Sequence, residues 1–247
     1  MVKLGALVTV RNSSKRLPEK MLKEIKGNTK AIDVIVERAK KTNAIVIITT
    51  STSLDDNIFE EVAKMHNVEI FRGSLTNKIK RWHDCFKEFN LDKAILIDGD
   101  DLSYDFEIGK RALKQLDSST ELIIHPKDIV CGLFTYAISK KGIEKLFNMV
   151  QNENIDTDVI TKFLEKANLK SKHIELQEHE KNKAVRLTLD YTEDLEFFRK
   201  MYQELDTTTS SKNIIKYLNE HKTLPLINFH KQKDFLENQK KFNMGVT

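Results

Sequence analysis

The chain has 247 residues, a length that allows one large domain or two small ones. Hydrophobic residues make up 40% of it, which is enough for a core and excludes a disordered chain. Lysine and arginine outnumber aspartate and glutamate by 41 to 37, and this small excess fits an anionic small-molecule ligand without indicating a nucleic-acid-binding surface.

Cysteine content and hydropathy exclude further classes of protein. The two cysteines, Cys85 and Cys131, are too few for a disulfide scaffold and too far apart for a CxxC metal site. No stretch approaches the roughly 18 apolar residues of a membrane span. The first residues lack the apolar core and cleavage site of a signal peptide, so we expect a cytoplasmic protein.

The N-terminal part alternates short apolar strands with amphipathic helices. Strands are predicted over 4–10, 44–50, 68–71 and 93–97, and helices over 31–41, 57–66 and around the apolar stripe of Ile79, Trp82, Phe86 and Phe89. This alternation predicts βαβ units, and therefore an α/β fold with a mostly parallel sheet.

The C-terminal part is less regular. Strands are predicted over 122–124, 133–138 and 184–189, and helices over 140–150, 157–167, 192–205 and 210–221. With only 8 glycines and 3 prolines and no linker-like segment, the chain is expected to form one domain over 1–222, followed by a tail at 223–247 of uncertain structure.

A basic loop directly follows the first predicted strand. Ligands of parallel sheets gather beyond the carboxyl ends of the strands, where this loop from Arg11 to Lys20 lies. It holds four cations and two serines, a mixture that suits phosphate oxygens, although a solvated basic loop is the alternative interpretation. Neither a GxGxxG nor a GxxxxGK[ST] motif occurs, which excludes the dinucleotide fingerprint and the P-loop.

Aspartates end two other predicted strands. Asp100 and Asp101 follow the strand at 93–97, and Asp190 follows the strand at 184–189. Carboxylates in such positions are costly unless they are paired or bind a metal, and Mg²⁺ takes one or two carboxylates together with substrate phosphates. The alternatives are a plain acidic turn or a helix cap, and a cap explains Thr192, Glu193 and Asp194 well.

The basic loop and several later segments of the sequence resemble a known family. The segment RNSSKRLPEKML at 11–22 is similar to the ARxxSxRLPxKxL loop of the cytidylyltransferases that activate acidic sugars, namely the 3-deoxy-manno-octulosonate, acylneuraminate and SpsF-like groups. Segments at 47–51, 68–74, 99–100 and 189–195 resemble successive family blocks in the same order. The resemblance implies a three-layer α/β sandwich around a mostly parallel, mixed sheet, the Rossmann-like nucleotidyltransferase fold, often as a homodimer.

The resemblance also implies roles for individual residues. The loop would bind the CTP triphosphate through Arg11, Ser14, Arg16 and Lys20, and the cytosine and ribose would lie near Arg72, Gly73 and Ser74. Asp100 and Asp190 match the two carboxylates that bind Mg²⁺, and the catalytic set would be Arg11, Lys20 and Asp100. The partners would be CTP and a small-molecule acceptor, expected to be an acidic sugar.

The chain departs from the family pattern in three places. Glu19 stands where the family usually has glycine, Asp101-Leu102 replaces a proline, and the usual D-T-P-E-D reads Asp190-Tyr191-Thr192-Glu193-Asp194. Two alternatives therefore stay open: a nucleotide-binding homologue that has lost catalysis, and a glycosyltransferase, whose Asp-x-Asp motif is formally matched at 98–100. No residue stands out as a general base, because an isolated histidine such as His125 is more often structural.

Overall fold

The computed structural model of the protein describes residues 2–14, 16–150, 155–157, 160–182 and 184–245. Its strands are β1 (Leu4–Thr9), β2 (Glu24–Lys26), β3 (Thr29–Lys30), β4 (Ile45–Ser51), β5 (Glu69–Gly73), β6 (Lys93–Asp98), β7 (Leu122–Ile124), β8 (Tyr136–Ser139) and β9 (Ser171–His173). Its helices are α1 (Ala31–Lys40), α2 (Ile58–His66), α3 (Lys78–Glu88), α4 (Phe106–Gln115), α5 (Lys140–Phe147), α6 (Thr161–Lys166), α7 (Thr192–Glu204), α8 (Ser211–Glu220), α9 (Leu226–Phe229) and α10 (Lys231–Gly245).

Seven of the strands in the described ranges form one mixed sheet, in the order β5-β4-β1-β6-β8-β7-β9. β5, β4, β1 and β6 are parallel to one another, whereas β8 is antiparallel to both of its neighbours, β6 and β7. After β1 the chain adds β4 and β5 on one side and then returns to place β6 on the other. The order therefore reverses between β1 and β6, and such a switch point opens a ligand crevice beyond the carboxyl ends of the strands.

Alternation along β1 divides the core into two layers. Ala6 and Val8 pack on the face that is covered by α1, α4 and α7, whereas Leu7 packs on the opposite face against α3 and α5. Helices thus cover both faces, as expected for a mostly parallel sheet. This confirms the predicted α/β three-layer sandwich.

The segment 184–189 is not the strand that the sequence predicted. Arg186 forms an isolated bridge with Cys131 and belongs to no ladder. The amide of Leu187 donates to the carbonyl of Cys131 at 2.9 Å, and the amide of Leu189 donates to the carbonyl of Asp100 at 2.8 Å. The segment is extended, but its donors bind two different parts of the chain, so the strand prediction is wrong.

The C-terminal residues, for which the sequence predicted no definite structure, contain α9 and α10. α9 packs against α7, and α10 continues directly from α9. Among the residues that the structure describes, no helix combines the length and the apolar character needed to cross a bilayer.

Candidate active site

The ends of β1 and β6 bring the basic loop next to the acidic turn. Thr9 and Asp98 are register partners at the ends of these strands, and the amide of Gly99 donates to the carbonyl of Thr9 at 3.0 Å. A Cβ atom on Gly99 would lie 2.4 Å from a methyl of Val10 and 2.8 Å from the Thr9 carbonyl. Glycine is therefore required here, because any side chain would push apart the two loops at the point where they leave the sheet.

A third segment joins them from much later in the chain. The hydrogen bond from Leu189 to the carbonyl of Asp100 places Asp190 beside Asp100. Asp190 is almost completely buried, whereas a quarter of the Asp100 side chain is exposed. The two predicted metal carboxylates thus lie together at the switch point of the sheet.

Lys20 connects these two carboxylates. Its Nζ lies 2.6 Å from Oδ2 of Asp100 and 3.1 Å from Oδ1 of Asp190. Arg16 donates from Nη2 to the same Oδ1 of Asp190 at 2.6 Å. Four of the residues predicted from the sequence therefore form one contiguous ionic cluster.

The charges in this cluster act on each other. Burial by itself would raise the pKa of Asp190, but Lys20, Arg16 and Arg186 outweigh it and lower that pKa to about 2. For Asp100, burial and the neighbouring Asp190 outweigh the attraction of Lys20, and the pKa rises. The pKa of Lys20 is also raised, since its two carboxylates outweigh the effect of burial. Lys20 stays charged, and Asp190 is the more firmly ionised carboxylate.

Arg186, which the sequence analysis did not select, holds Asp190 from its other side. Its fully buried guanidinium donates to Oδ2 of Asp190 at 2.9 Å and to both oxygens of Asp194 at 3.0 and 3.2 Å. Asp194 in turn accepts from the amides of Asp190 and Tyr191 at 2.8 and 3.0 Å. The available signal was an arginine within an apolar run, since a buried arginine needs anionic partners.

The start of the basic loop forms hydrogen bonds with the loops after β4 and β5. Arg11 donates from Nη1 to the carbonyl of Leu75 at 3.0 Å, and the amide of Asn12 donates to Asp56 at 2.7 Å. Ser14 accepts from the amide of Leu17 at 3.4 Å. Arg11 therefore links the basic loop to the β5–α3 connection.

The predicted nucleoside residues lie at the end of β5. Arg72 donates to the carbonyls of Ser51 and Ser53 at 2.9 and 2.7 Å and pairs with Glu60 at 2.5 Å. Gly73 is the last residue of β5, and the Ser74 hydroxyl accepts from the amide of Asn77 at the start of α3. The described contacts bind the Arg72 guanidinium to the end of β4, the β4–α2 connection and α2, and do not join these three residues to the Lys20 cluster.

Glu19 has the backbone conformation that glycine favours. Its φ is 52° and its ψ is 32°, in the left-handed region, and its side chain is exposed. A glycine in the family pattern at this position meets the same conformational demand without a Cβ penalty. The substitution therefore preserves the turn that delivers Lys20.

Polar side chains continue beyond Asp100 toward β8. Asp98 lies 3.7 Å from Nζ of Lys78 and accepts from the Thr135 hydroxyl at 3.3 Å. The ring of His125 lies 5.8 Å from that of Tyr136, and burial lowers the pKa of His125. His125 is thus a neutral, half-buried ring.

The donor set at Lys20 fits a divalent cation. Two carboxylates already contact a single positively charged nitrogen there, and carboxylate oxygens are hard ligands of the kind that Mg²⁺ prefers. Asp105, His179 and Glu180 form another group that could contact a cation. Asp105, however, caps α4, and Glu180 forms a bidentate pair with Arg111 at 2.9 and 2.8 Å, so these two carboxylates already serve the fold.

Comparison with known proteins finds a matching family and proteins of similar fold. Residues 6–242 match the family model described as cytidylyltransferase. An uncharacterised protein of Methanocaldococcus jannaschii is 24% identical over 96% of this chain and 99% of its own length. A cytidylyltransferase structure from Leptospira borgpetersenii superposes with a TM-score of 0.80 at 24% identity, covering 91% of this chain and 97% of its own. A structure of CMP:2-keto-3-deoxy-manno-octonic acid synthetase complexed with CTP gives a TM-score of 0.61 at 16% identity, covering 82% and 100%. Because the family model spans nearly the whole chain, the protein belongs to the cytidylyltransferase family and is a nucleotidyltransferase.

Proposed function

We propose that this cytidylyltransferase couples CMP from CTP to an acidic sugar, or to a related polysaccharide precursor, and releases pyrophosphate. The observation that carries the proposal is the contact of Lys20 Nζ with both Asp100 and Asp190 at the switch point of the sheet. The similarity of the loop at 11–22 to acidic-sugar cytidylyltransferases supports the choice of nucleotide and acceptor.

The reaction is a nucleotidyl transfer. An acceptor oxygen forms a bond with the α-phosphorus of CTP, the bond from that phosphorus to the oxygen bridging to the β-phosphorus breaks, and pyrophosphate leaves with the electron pair. The acceptor hydroxyl loses its proton to solvent. Negative charge grows on the leaving oxygens, so cations fixed in advance provide most of the stabilisation of the transition state.

Lys20 and Arg16 are the cations placed to receive the triphosphate. Both now contact Oδ1 of Asp190, and Arg16 is 40% exposed, so its guanidinium can turn toward a ligand in the crevice. Arg11 lies at the start of the same loop. We expect Lys20 and Arg16 to exchange their carboxylate partners for phosphate oxygens when CTP binds, so that both cations stay paired.

Asp100 and Asp190 are the residues that would hold Mg²⁺. The bound ion would neutralise phosphate charge and lower the pKa of an acceptor hydroxyl. Arg186 would keep Asp190 in place from the opposite side, because it contacts Oδ2 and leaves Oδ1 on the side of Lys20. Oδ2 of Asp190 would therefore hold the carboxylate in place, and Oδ1 would face the substrate.

The test is pyrophosphate release in the presence of CTP, Mg²⁺ and a panel of acceptors. Acidic sugars such as 3-deoxy-manno-octulosonate and N-acetylneuraminate are compared with neutral sugars of the same size. The proposal expects release that needs both CTP and an acidic acceptor. Equally fast release with neutral sugars would contradict the acidic acceptor, and the absence of release with every acceptor would contradict the proposed coupling of CMP.

A further inference from the structure

The C-terminal helix α10 covers the buried arginine that holds Asp190. Gln232, in its first turn, accepts from Nη1 of Arg186 at 3.0 Å. The ring of Phe235, one turn later, lies 4.8 Å from the centre of the guanidinium. Because Arg186 has no solvent exposure, these two side chains replace the water that would otherwise contact this edge of its guanidinium.

The remaining faces of the guanidinium are occupied by the Asp190 loop, which is defined as residues 186–191 together with the first turn of α7 at 192–194. Asp194 and Asp190 accept its other hydrogen bonds, and the ring of Tyr191 lies 5.6 Å from its centre. A guanidinium is planar and donates in a fixed fork, so its orientation determines where each carboxylate oxygen lies. The orientation of Arg186 is thus set partly by residues 186–194 and partly by α10.

Other contacts attach α9 and α10 to the same loop. Asn228 donates to Oδ1 of Asp194 at 2.9 Å and to the carbonyl of Arg186 at 3.1 Å. Lys231 pairs with Glu193 at 3.0 Å, and Asn238 donates to the Tyr191 hydroxyl at 3.3 Å. The C-terminal helices therefore contact this loop over several turns.

We propose that α10 is a positioning element of the active site, in which Gln232 and Phe235 fix Arg186 and, through it, the Asp190 carboxylate. Neither residue touches the carboxylates that face the substrate, so both are positioning residues. The consequence for ligands rests on the proposed function: nucleotide and divalent cation bind tightly only while α10 is docked. By linkage, their binding stabilises the docked helix to the same extent.

The first experiment measures Mn²⁺ binding in the presence of CTP by electron paramagnetic resonance of the free ion. Gln232→Leu removes the hydrogen-bond acceptor and is expected to weaken the apparent Mn²⁺ affinity about tenfold, as changes to groups behind a metal ligand do. Gln232→Glu keeps an oxygen acceptor for Arg186 and is expected to stay within about twofold of wild type. Glu237→Leu changes an exposed residue of the same helix and is the matched control.

The second experiment follows amide hydrogen exchange in the full-length protein. Addition of Mg²⁺ and CTP should slow exchange in residues 231–238 of the wild type, and Phe235→Leu should reduce that protection. The melting temperature of each variant without ligand shows whether it folds, so a loss of affinity in a folded variant is attributable to positioning.

The outcomes separate this inference from the proposed function. If the wild type binds Mn²⁺ and CTP but Gln232→Leu binds them as tightly as Glu237→Leu, the positioning role of α10 is wrong and the proposed function stands. If the wild type binds no Mn²⁺ with CTP present, the proposed function is wrong, and this inference is wrong with it. Selective loss of binding in Gln232→Leu, together with retention in Gln232→Glu, supports it.

Discussion

Within the part of the chain that the structure describes, Lys20 is the side chain that contacts both predicted metal carboxylates. Its substitution by methionine keeps the length of the side chain and removes the charge. We expect Lys20→Met to lower kcat/KM for CTP by about 10²–10³-fold, the loss typical of one preorganised charge-stabilising group. Lys23→Met changes a partly exposed lysine three residues later and is the control. Steady-state pyrophosphate release measures both, and equal rates in the two variants would contradict the assignment of Lys20.

Asp190 gives the site a pH-dependent contribution to stability. Its folded-state pKa of about 2 lies below the value of about 3.9 for an unfolded chain, so ionised Asp190 favours the folded state. This contribution, of about 2–3 kcal/mol, is fully present above about pH 4 and is lost as the pH falls toward about pH 2. The sign follows from the depressed pKa, because at low pH the unfolded state takes up the proton first.

Urea unfolding of wild type and Asp190→Asn at a series of pH values tests this contribution. The free energy of unfolding should differ most between the two proteins near pH 6, and the difference should shrink as the pH approaches about 2. Asp55→Asn, at an exposed aspartate, should show no such convergence. A difference between wild type and Asp190→Asn that does not change with pH would mean that the ion pairs around Asp190 do not lower its pKa.

Glu19 carries backbone strain that a glycine would relieve. A non-glycine residue in the left-handed region costs about 1–2 kcal/mol, and the greater freedom of glycine in the unfolded chain offsets about 0.5–1 kcal/mol of that gain. We therefore expect Glu19→Gly to raise the free energy of unfolding by about 0.5–1 kcal/mol. Asn67→Gly is the matched control, because Asn67 has a similar φ of 50° and asparagine tolerates it better. Urea denaturation should show a larger increase in the free energy of unfolding for Glu19→Gly than for Asn67→Gly. An equal or smaller increase for Glu19→Gly would contradict the strain at Glu19.

At the scale of elements, the contact between the ends of β1 and β6 depends on Gly99. A methyl group there would clash with the Thr9 backbone, so Gly99→Ala should destabilise the fold by about 1–3 kcal/mol and displace Asp100. Gly5→Ala, at the other end of β1, meets mainly the ends of the Leu91 and Leu7 side chains, which can move. Calorimetric titration with CTP and Mg²⁺ should show weaker binding for Gly99→Ala alone. Equal binding of CTP and Mg²⁺ by both variants would show that the Gly99 contact does not position Asp100 for binding.

Elements built on apolar periodicity could be predicted from the sequence. The strands β1, β4 and β6 and the helices α1 and α7 follow this pattern, and their observed bounds are close to the predicted ones. α3 contains the first three residues of its predicted apolar stripe and ends just before the fourth, Phe89. The segment 184–189 shows the same apolar pattern, but Cys131 and Asp100 take its backbone donors, so no ladder forms. The Lys-rich stretch at 231–241 was interpreted as a solvated helix face, and α10 is a helix there. Its packing could not be predicted, because the residues that attach it, Gln232 and Lys231, are polar and give no apolar stripe.

At the scale of the whole molecule, the chain brings together segments that lie far apart in sequence. The rule that ligands gather at the carboxyl ends of parallel strands predicted the region of Lys20 and Asp100. Asp190 follows an extended segment outside the sheet, and the family resemblance predicted its place beside them. The part played by Arg186 could not be predicted in this way. Its role depends on which partners surround a buried guanidinium, and Gln232 is 46 residues away in the chain. Pairings of this kind leave no periodic signal in a single sequence.

A ligand that contacts all three segments should stabilise the whole fold. At a concentration about 100 times its dissociation constant, a ligand bound only by the folded state adds about 2.7 kcal/mol, which for a chain of this size raises the melting temperature by about 5–10 °C. We expect CTP with Mg²⁺ to give such a shift in differential scanning fluorimetry, CTP alone to give less, and UTP with Mg²⁺ to give little. Lys20→Met should remove most of the shift, because it removes a phosphate contact and leaves Asp100 without its cation. Equal shifts with CTP and UTP would show that the site selects the triphosphate without selecting cytosine, and the nucleoside contacts assigned to the end of β5 would then be wrong.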